Sequence, residues 1–181
     1  MASQPHQLHL VLVPIMSPGH IIPIIDIAKI LAQRNLVVTI ITTPLNAIRF
    51  STTINRAVQS GLSIQILKIQ FPYDEAGLPQ GCENIHSLPS PNLTKNFLTA
   101  ISLLQQPFEQ LFQELKPTPC CIISDKYLAW TANTADRFHV PRIIFDGTNC
   151  FNILCCNNFD AILKTRFWDP ANNIRILAQE S

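Results

Sequence analysis

Two side chains in this sequence have the types and surroundings that suit proton transfer. His20 lies in Pro14-Ile15-Met16-Ser17-Pro18-Gly19-His20-Ile21-Ile22-Pro23, between an apolar run (Leu8–Val13) and a very apolar helical stretch. Asp125 closes a second buried run, Cys120–Ile123, through Ser124. An imidazole at a helix N-terminus meets the positive end of the helix dipole, which favours its neutral, base-competent form. A carboxylate bonded to the far ring nitrogen fixes the tautomer and stabilises the imidazolium formed after proton abstraction. No G-x-S-x-G nucleophile elbow occurs, so the pair suits activation of a hydroxyl on a bound substrate rather than one on the protein. Plainer roles remain open at this level. His20 would serve as a turn or cap residue, and Asp125 as the N-cap of a helix from Lys126 onward. Ser17, Thr148 and the backbone of Gly19 would line an anion site or simply make turns. His86 and His139 show no partners and read as surface residues.

These residues need a scaffold that brings them together, and the hydrophobic pattern supplies one. Leu8–Val13 reads as strand one and Ile21–Arg34 as helix one, with Pro23 in its first turn. Val37–Thr42 is a β-branched strand two. Thr43-Pro44 opens a helix that runs to about Ser60, with Thr43 as its N-cap, and Leu62–Ile69 is strand three. From Gln70 to Pro91 no period survives, as expected of a functional lid or a disordered insert. A helix starts near Ser90-Pro91 with an apolar stripe from Leu93 through Phe97 to Leu115, kinked or divided by Pro107. Cys120–Ile123 is strand four, Leu128–Phe138 a helix, Arg142–Phe145 strand five, and Cys150–Phe159 a further apolar segment. Alternation of this kind predicts an α/β fold, a doubly wound, mostly parallel, Rossmann-like sheet. In the order 3-2-1-4-5, strands one and four are neighbours, and a crevice opens outside their carboxyl ends. His20 follows strand one and Asp125 ends strand four, so topology joins them.

Composition narrows the field. The 181 residues suffice for one well-packed domain and not for two full ones. With 14% charged residues and a net charge of +1 there is no basic face for nucleic acid. The longest apolar run, Ile21–Leu31, is broken by Pro23, Asp26 and Lys29, so no membrane span is expected. The N-terminus lacks the features of a signal peptide, which predicts a cytoplasmic protein. The cysteines include the adjacent pairs Cys120-Cys121 and Cys155-Cys156, whose side chains on a strand point to opposite faces. They read as reduced, packed thiols rather than bridges or a zinc site. Asn92-Leu93-Thr94 reads as a chance match to a glycosylation acceptor. No G-x-G-x-x-G follows strand one, no Walker loop occurs, and no acidic or histidine cluster suggests a metal.

Several stretches, taken jointly, resemble the N-terminal half of a plant family 1 UDP-dependent glycosyltransferase. They are Pro14–Pro23 with Gly19-His20, Ala32-Gln33-Arg34, Val38-Thr39-Ile40-Ile41-Thr42-Thr43-Pro44, Phe71-Pro72 with Glu75-Ala76-Gly77-Leu78-Pro79, and Cys121–Asp125. The resemblance runs from about Leu8 to Phe159. It implies a GT-B architecture of two Rossmann-like domains facing each other, the first binding the sugar acceptor. It further implies that the histidine matching His20 takes the acceptor hydroxyl proton and the aspartate matching Asp125 supports it. The acceptor oxygen then attacks the anomeric carbon of UDP-glucose or a similar donor, with inversion, with UDP-sugar as co-substrate and with neither cofactor nor metal. The implied partners are a small plant metabolite such as a flavonoid or terpenoid and the UDP-sugar. By the same resemblance, acceptor walls fall around Met16, Pro18, Gly19, Tyr127, Leu128, Gly147, Thr148 and the helix bearing Phe97. The family's C-terminal donor signature, rich in Trp, His, Gly, Asn and Glu, has no counterpart here. The expected organisation is an acceptor-binding domain over 1–159 and a divergent tail over 160–181, the end of a truncated or misspliced form without the donor domain. A non-catalytic acceptor-binding fragment is the competing expectation.

Overall fold

The computed structural model describes residues 7–148, 150, 151, 153–155 and 158, with the backbone of Arg166–Asp169 and Ile174–Leu177. The chain divides into two compact units, Met1–Gly147 and Thr148–Ser181. Position 159, where the sequence places a boundary, lies outside the described residues, as does most of the expected tail.

The first unit is a five-stranded parallel sheet in the order β3-β2-β1-β4-β5. The strands are β1 (His9–Val13), β2 (Val37–Thr42), β3 (Ile64–Lys68), β4 (Cys121–Asp125) and β5 (Arg142–Phe145). The helices are α1 (Pro18–Gln33), α2 (Pro44–Gln59), α3 (Thr94–Leu103), α4 (Gln105–Glu114) and α5 (Trp130–Phe138). This is the expected doubly wound α/β fold. Strand side chains alternate between the two faces, and each face has its own core. Leu12, Val38, Ile40, Cys121 and Ile123 pack with α1 and α2 through Ile21, Ile24, Ile25, Ala28, Ile54 and Ala57. Val11, Val13, Ile41 and Ile122 pack on the other face with Phe97, Ile101, Phe108, Phe112 and Trp130. In the second unit, β6 (Arg166–Asp169) and β7 (Ile174–Leu177) pair antiparallel, with Arg166 opposite Leu177.

Several local expectations are corrected. Helix α1 starts at Pro18, which takes the first-turn position, so Pro23 sits a turn deeper inside the helix. The long stripe divides at Leu104 rather than at Pro107. Proline has no N–H for the carbonyl four residues back and its ring crowds that carbonyl, here Leu103's, so the break falls ahead of it. Pro107 then lies in the first turn of α4, where no intrahelical donor is required. Thr43 stands at the N-cap position of α2 without capping it; its hydroxyl accepts from Asn46 Nδ2 at 2.8 Å. The Leu45 N–H of that first turn is instead met by Glu83 Oε2 at 2.7 Å, from the segment without a period.

That segment is neither a lid nor disordered. It buries Phe71, Ala76, Leu78 and Cys82, and Tyr73 donates to Glu83 Oε1 at 2.7 Å. Burial first, then Glu83 as hydrogen-bond acceptor and as charge, push the Tyr73 hydroxyl well above its ordinary range. The described cysteines, 82, 120, 121, 150 and 155, are free thiols. Among the described residues no helix is long and apolar enough to cross a membrane.

Candidate active site

The carboxyl ends of β1 and β4 lie side by side, with Val13 opposite Ser124. Beyond β1 the backbone turns at once, Ser17 N–H bonding to Ile15 O at 2.8 Å, and the N–H groups of His20 and Ile21 both return to Ser17 O. This tight entry sets His20 in the first turn of α1 with its ring toward the end of β4. His20 Nδ1 lies 2.5 Å from Asp125 Oδ2. The Asp125 side chain is fully buried and the His20 side chain is 16% exposed, so the pair is shielded but reachable. Since a carboxylate only accepts, Nδ1 donates, and the neutral ring then carries its lone pair on Nε2. No hydrogen bond occupies Nε2 among the described residues.

Asp125 is not a helix cap, because α5 starts later, at Trp130. Its Oδ1 accepts from Tyr127 N–H at 3.0 Å and its carbonyl from Leu128 N–H at 3.1 Å. It thus makes a short aspartate-centred turn of the kind Asp favours after a strand. One oxygen holds the turn and the other faces the imidazole. Gly147, just after β5, closes the site on one side. A Cβ there would fall 2.5 Å from His20 Nδ1, so only glycine permits the imidazole its present place.

Of the remaining expected wall residues, Gly19 and Tyr127 are exposed, and Pro18 and Gly147 half-buried. The Tyr127 ring lies 5.9 Å from that of His20. Met16, Phe97 and Leu128 do not line an open surface: all three are fully buried in the core against the α3–α5 layer. Phe97 is committed to Phe71, centroid to centroid 5.7 Å. In this chain the three side chains belong to the core rather than to the open wall expected of them. Thr148 opens the second unit and is half-buried.

Other residues at the site escaped the sequence reading. Lys126 pairs with Asp146 at 2.7 Å across the ends of β4 and β5, and that hydrogen bond first of all raises the lysine above its ordinary range. His86, read as an isolated surface residue, is exposed but places Nε2 3.4 Å from Ser17 Oγ. Neighbouring Ile85 donates its N–H to Met16 O at 3.3 Å. No periodicity marks these contacts, since they join a loop to a turn. His139, by contrast, is exposed and ends α5 with φ 55°. Among the described residues no group of three or more His, Cys, Asp or Glu is placed to hold a metal ion.

No family model matches the chain. It is 53% identical over 148 residues to UDP-glycosyltransferase 73C3 of Arabidopsis thaliana, covering 82% of this chain and 30% of that protein. It is 52% identical over 155 residues to UDP-glycosyltransferase 73E1 of Stevia rebaudiana, covering 86% and 31%. Among solved structures, Glycyrrhiza uralensis UGT73P12, complexed with glycyrrhetinic acid 3-O-monoglucuronide, superposes with a TM-score of 0.76 at 30% identity, over 94% of this chain and 36% of that one. Arabidopsis thaliana UGT89C1, complexed with UDP-L-rhamnose, superposes with a TM-score of 0.66 at 25% identity, over 77% and 36%. The chain spans about a third of the length of these relatives.

Proposed function

The chain belongs to the plant UDP-glycosyltransferase family, matching the N-terminal portion of its members, and on that premise we propose that it supplies the acceptor side of an inverting sugar transfer. The acceptor is a hydroxyl of a small plant metabolite such as a flavonoid or terpenoid, and the donor a UDP-sugar, glucose in the leading reading. The observation that carries this is the pair itself, His20 Nδ1 held 2.5 Å from a fully buried carboxylate with Nε2 left to work.

In this reading the acceptor hydroxyl donates to Nε2. As its oxygen forms the bond to the anomeric carbon from the face opposite UDP, the bond from that carbon to the phosphate oxygen breaks. UDP leaves with the electron pair, and the hydroxyl proton passes to Nε2. Asp125 then faces an imidazolium whose charge it offsets. Pro18, Gly19, Tyr127, Gly147 and Thr148 are assigned to the acceptor's surroundings, with Met16, Phe97 and Leu128 supporting from the core. No step needs a metal or cofactor. The site works in the cytoplasm on small molecules, with no nucleic acid or membrane partner. The chain matches about a third of the relatives' length, and the second reading is that these residues bind acceptor without themselves transferring sugar.

The test joins these residues to the C-terminal remainder of one of the relatives and measures turnover with UDP-glucose and a flavonoid panel. His20→Ala is expected to lower turnover about a hundredfold or more, the size of a lost general base. Near-normal turnover in that variant would remove His20 from the mechanism. Acceptor binding by the 181-residue chain, with no turnover when UDP-glucose is supplied, would favour the second reading.

A further inference from the structure

Arg142 reverses the usual pattern on strand β5. Its apolar neighbours Ile143 and Ile144 are 53% and 61% exposed, while the charged residue is turned inward and half-buried. Burying a guanidinium costs free energy unless its donors are used, and here they are used on one object. Nε donates to Ser124 Oγ at 2.7 Å, and Nη2 donates to the carbonyls of Asp125 at 3.2 Å and Leu128 at 3.4 Å.

The hydroxyls between those contacts have a forced direction. Thr131 spends its proton on Leu128 O at 2.6 Å. The 2.7 Å contact between Ser124 Oγ and Thr131 Oγ1 is then donated by Ser124, whose oxygen accepts from Arg142. The bonds close into a ring that leaves Arg142 at Nε, passes through Ser124 and Thr131 to Leu128 O, and meets Arg142 again at Nη2. The bonds from Arg142 Nε to Leu128 O run head to tail and so polarise one another in a low-dielectric setting, while Nη2 is a second donor to that same carbonyl. The ring encloses the Asp125–Leu128 turn, the same turn that presents Oδ2 to His20.

We propose that Arg142 is a positioning residue for the His20–Asp125 pair, bracing the turn that aims Asp125 and setting a positive charge behind its carboxylate. This rests on the reading of that pair as the working site. Among the described residues no carboxylate lies within ion-pair distance of Arg142. Burial lowers the guanidinium from its ordinary value, while the charge of Asp125 acts in the opposite direction. Cation and carboxylate thus support each other through the turn without touching. Among the described residues, Lys126 and Asp146 beside the pair are engaged with one another, and on the α1 side His86 reaches Ser17.

The test uses the 181-residue chain and the proton of His20 Nδ1, whose 2.5 Å contact with a carboxylate should give a far-downfield resonance. Loss of that resonance in Asp125→Asn assigns it. Arg142→Gln is expected to move the resonance upfield and speed its solvent exchange about tenfold by loosening the turn. Arg142→Lys, which keeps the charge and loses the fork, should restore part of the shift. Ser124→Ala opens the ring with the charge in place and should speed exchange severalfold. It carries the test where Arg142→Gln does not fold. A folded Arg142→Gln chain with resonance and exchange unchanged would overturn the proposal, as would equal effects of Gln and Lys or unchanged exchange in Ser124→Ala. Sugar transfer does not enter this readout. Retained turnover in His20→Ala would sink the functional reading and leave the resonance in place, whereas failure here leaves the dependence of turnover on His20 untouched.

Discussion

A histidine lies toward each end of strand β1, His9 on the strand and His20 in the helix that follows it, and the two are used in opposite ways. His9, at the amino end, is fully buried, with Nδ1 2.5 Å from Pro117 O and Nε2 2.7 Å from Thr39 Oγ1. A carbonyl only accepts, so Nδ1 donates and Nε2 is left to accept from Thr39, whose oxygen in turn accepts from Gln65 at 2.7 Å. Both ring nitrogens are spent on the fold. His20, beyond the carboxyl end, spends one nitrogen on Asp125 and keeps the other. A buried polar group whose capacity is fully used holds structure; one that keeps a partner in reserve can do chemistry. The carboxylates divide in the same way. Glu109 is saturated by Gln105, Thr134 and Arg137, while Asp125 gives one oxygen to a turn and the other to His20.

The largest expected effect tests the amino end. His9→Ala should cost about 2–4 kcal/mol, because it leaves the proton of the buried Thr39 hydroxyl without its acceptor and opens a cavity where a fully buried ring stood. Urea unfolding of His9→Ala and His20→Ala reads the contrast directly. The second substitution, at a partly exposed ring, should change stability by less than about 1 kcal/mol. Equal losses would erase the distinction between the two ends.

Asp125→Asn comes next, at the other end of the sheet. In a polypeptide carrying a donor-binding portion it should lower turnover about a hundredfold, near 2.7 kcal/mol of barrier, with acceptor affinity nearly unchanged. A parallel loss of affinity would make Asp125 a structural residue like Glu109.

The asymmetry between the ends was legible in part. The Pro-Gly turn around His20 and the strand and helix alternation predict the order 3-2-1-4-5, and that order brings His20 to Asp125. What stayed hidden has one physical character: polar contacts from a side chain to a part of the chain distant in sequence, which leave no period. Glu83 caps α2 from a loop, His86 meets Ser17, and Arg142 binds the turn after β4. Hydrophobic patterning reports which face a residue takes, so it placed the cores well. The resemblance, not the patterning, assigned Met16, Phe97 and Leu128 to the acceptor wall, and a family match does not separate a side chain facing a cleft from one filling the layer behind it. The break at Leu104 was misplaced because a proline acts on the carbonyl before it.

Gly147→Ala should have a smaller effect, about 1–2 kcal/mol for forcing a methyl into packed space, and should push the imidazole off Asp125. The downfield Nδ1 proton of His20 would then weaken while the His9 contacts stay intact. If the resonance persists unchanged, the loop after β5 gives way instead, and the close approach of Gly147 is not what seats the ring.

The smallest effect concerns Glu109, the saturated counterpart of Asp125. Burial pushes its carboxyl upward, but hydrogen bonds from Gln105 and Thr134 and the charge of Arg137 outweigh that and hold it below its ordinary value. A carboxyl depressed in the folded state contributes stability that is complete above its unfolded value and lost as pH falls through the folded one. Arg137 is 62% exposed, so solvent screens its share and the neutral donors carry the rest. The urea midpoint of the wild-type chain should therefore exceed that of Glu109→Gln by most near neutral pH, with the gap closing as the solution is acidified past the ordinary carboxylate range. A gap that stays constant into acid would mean that shape rather than charge holds this cluster. Glu109 would then mark a packed site, and the contrast with Asp125 would rest on the free imidazole nitrogen alone.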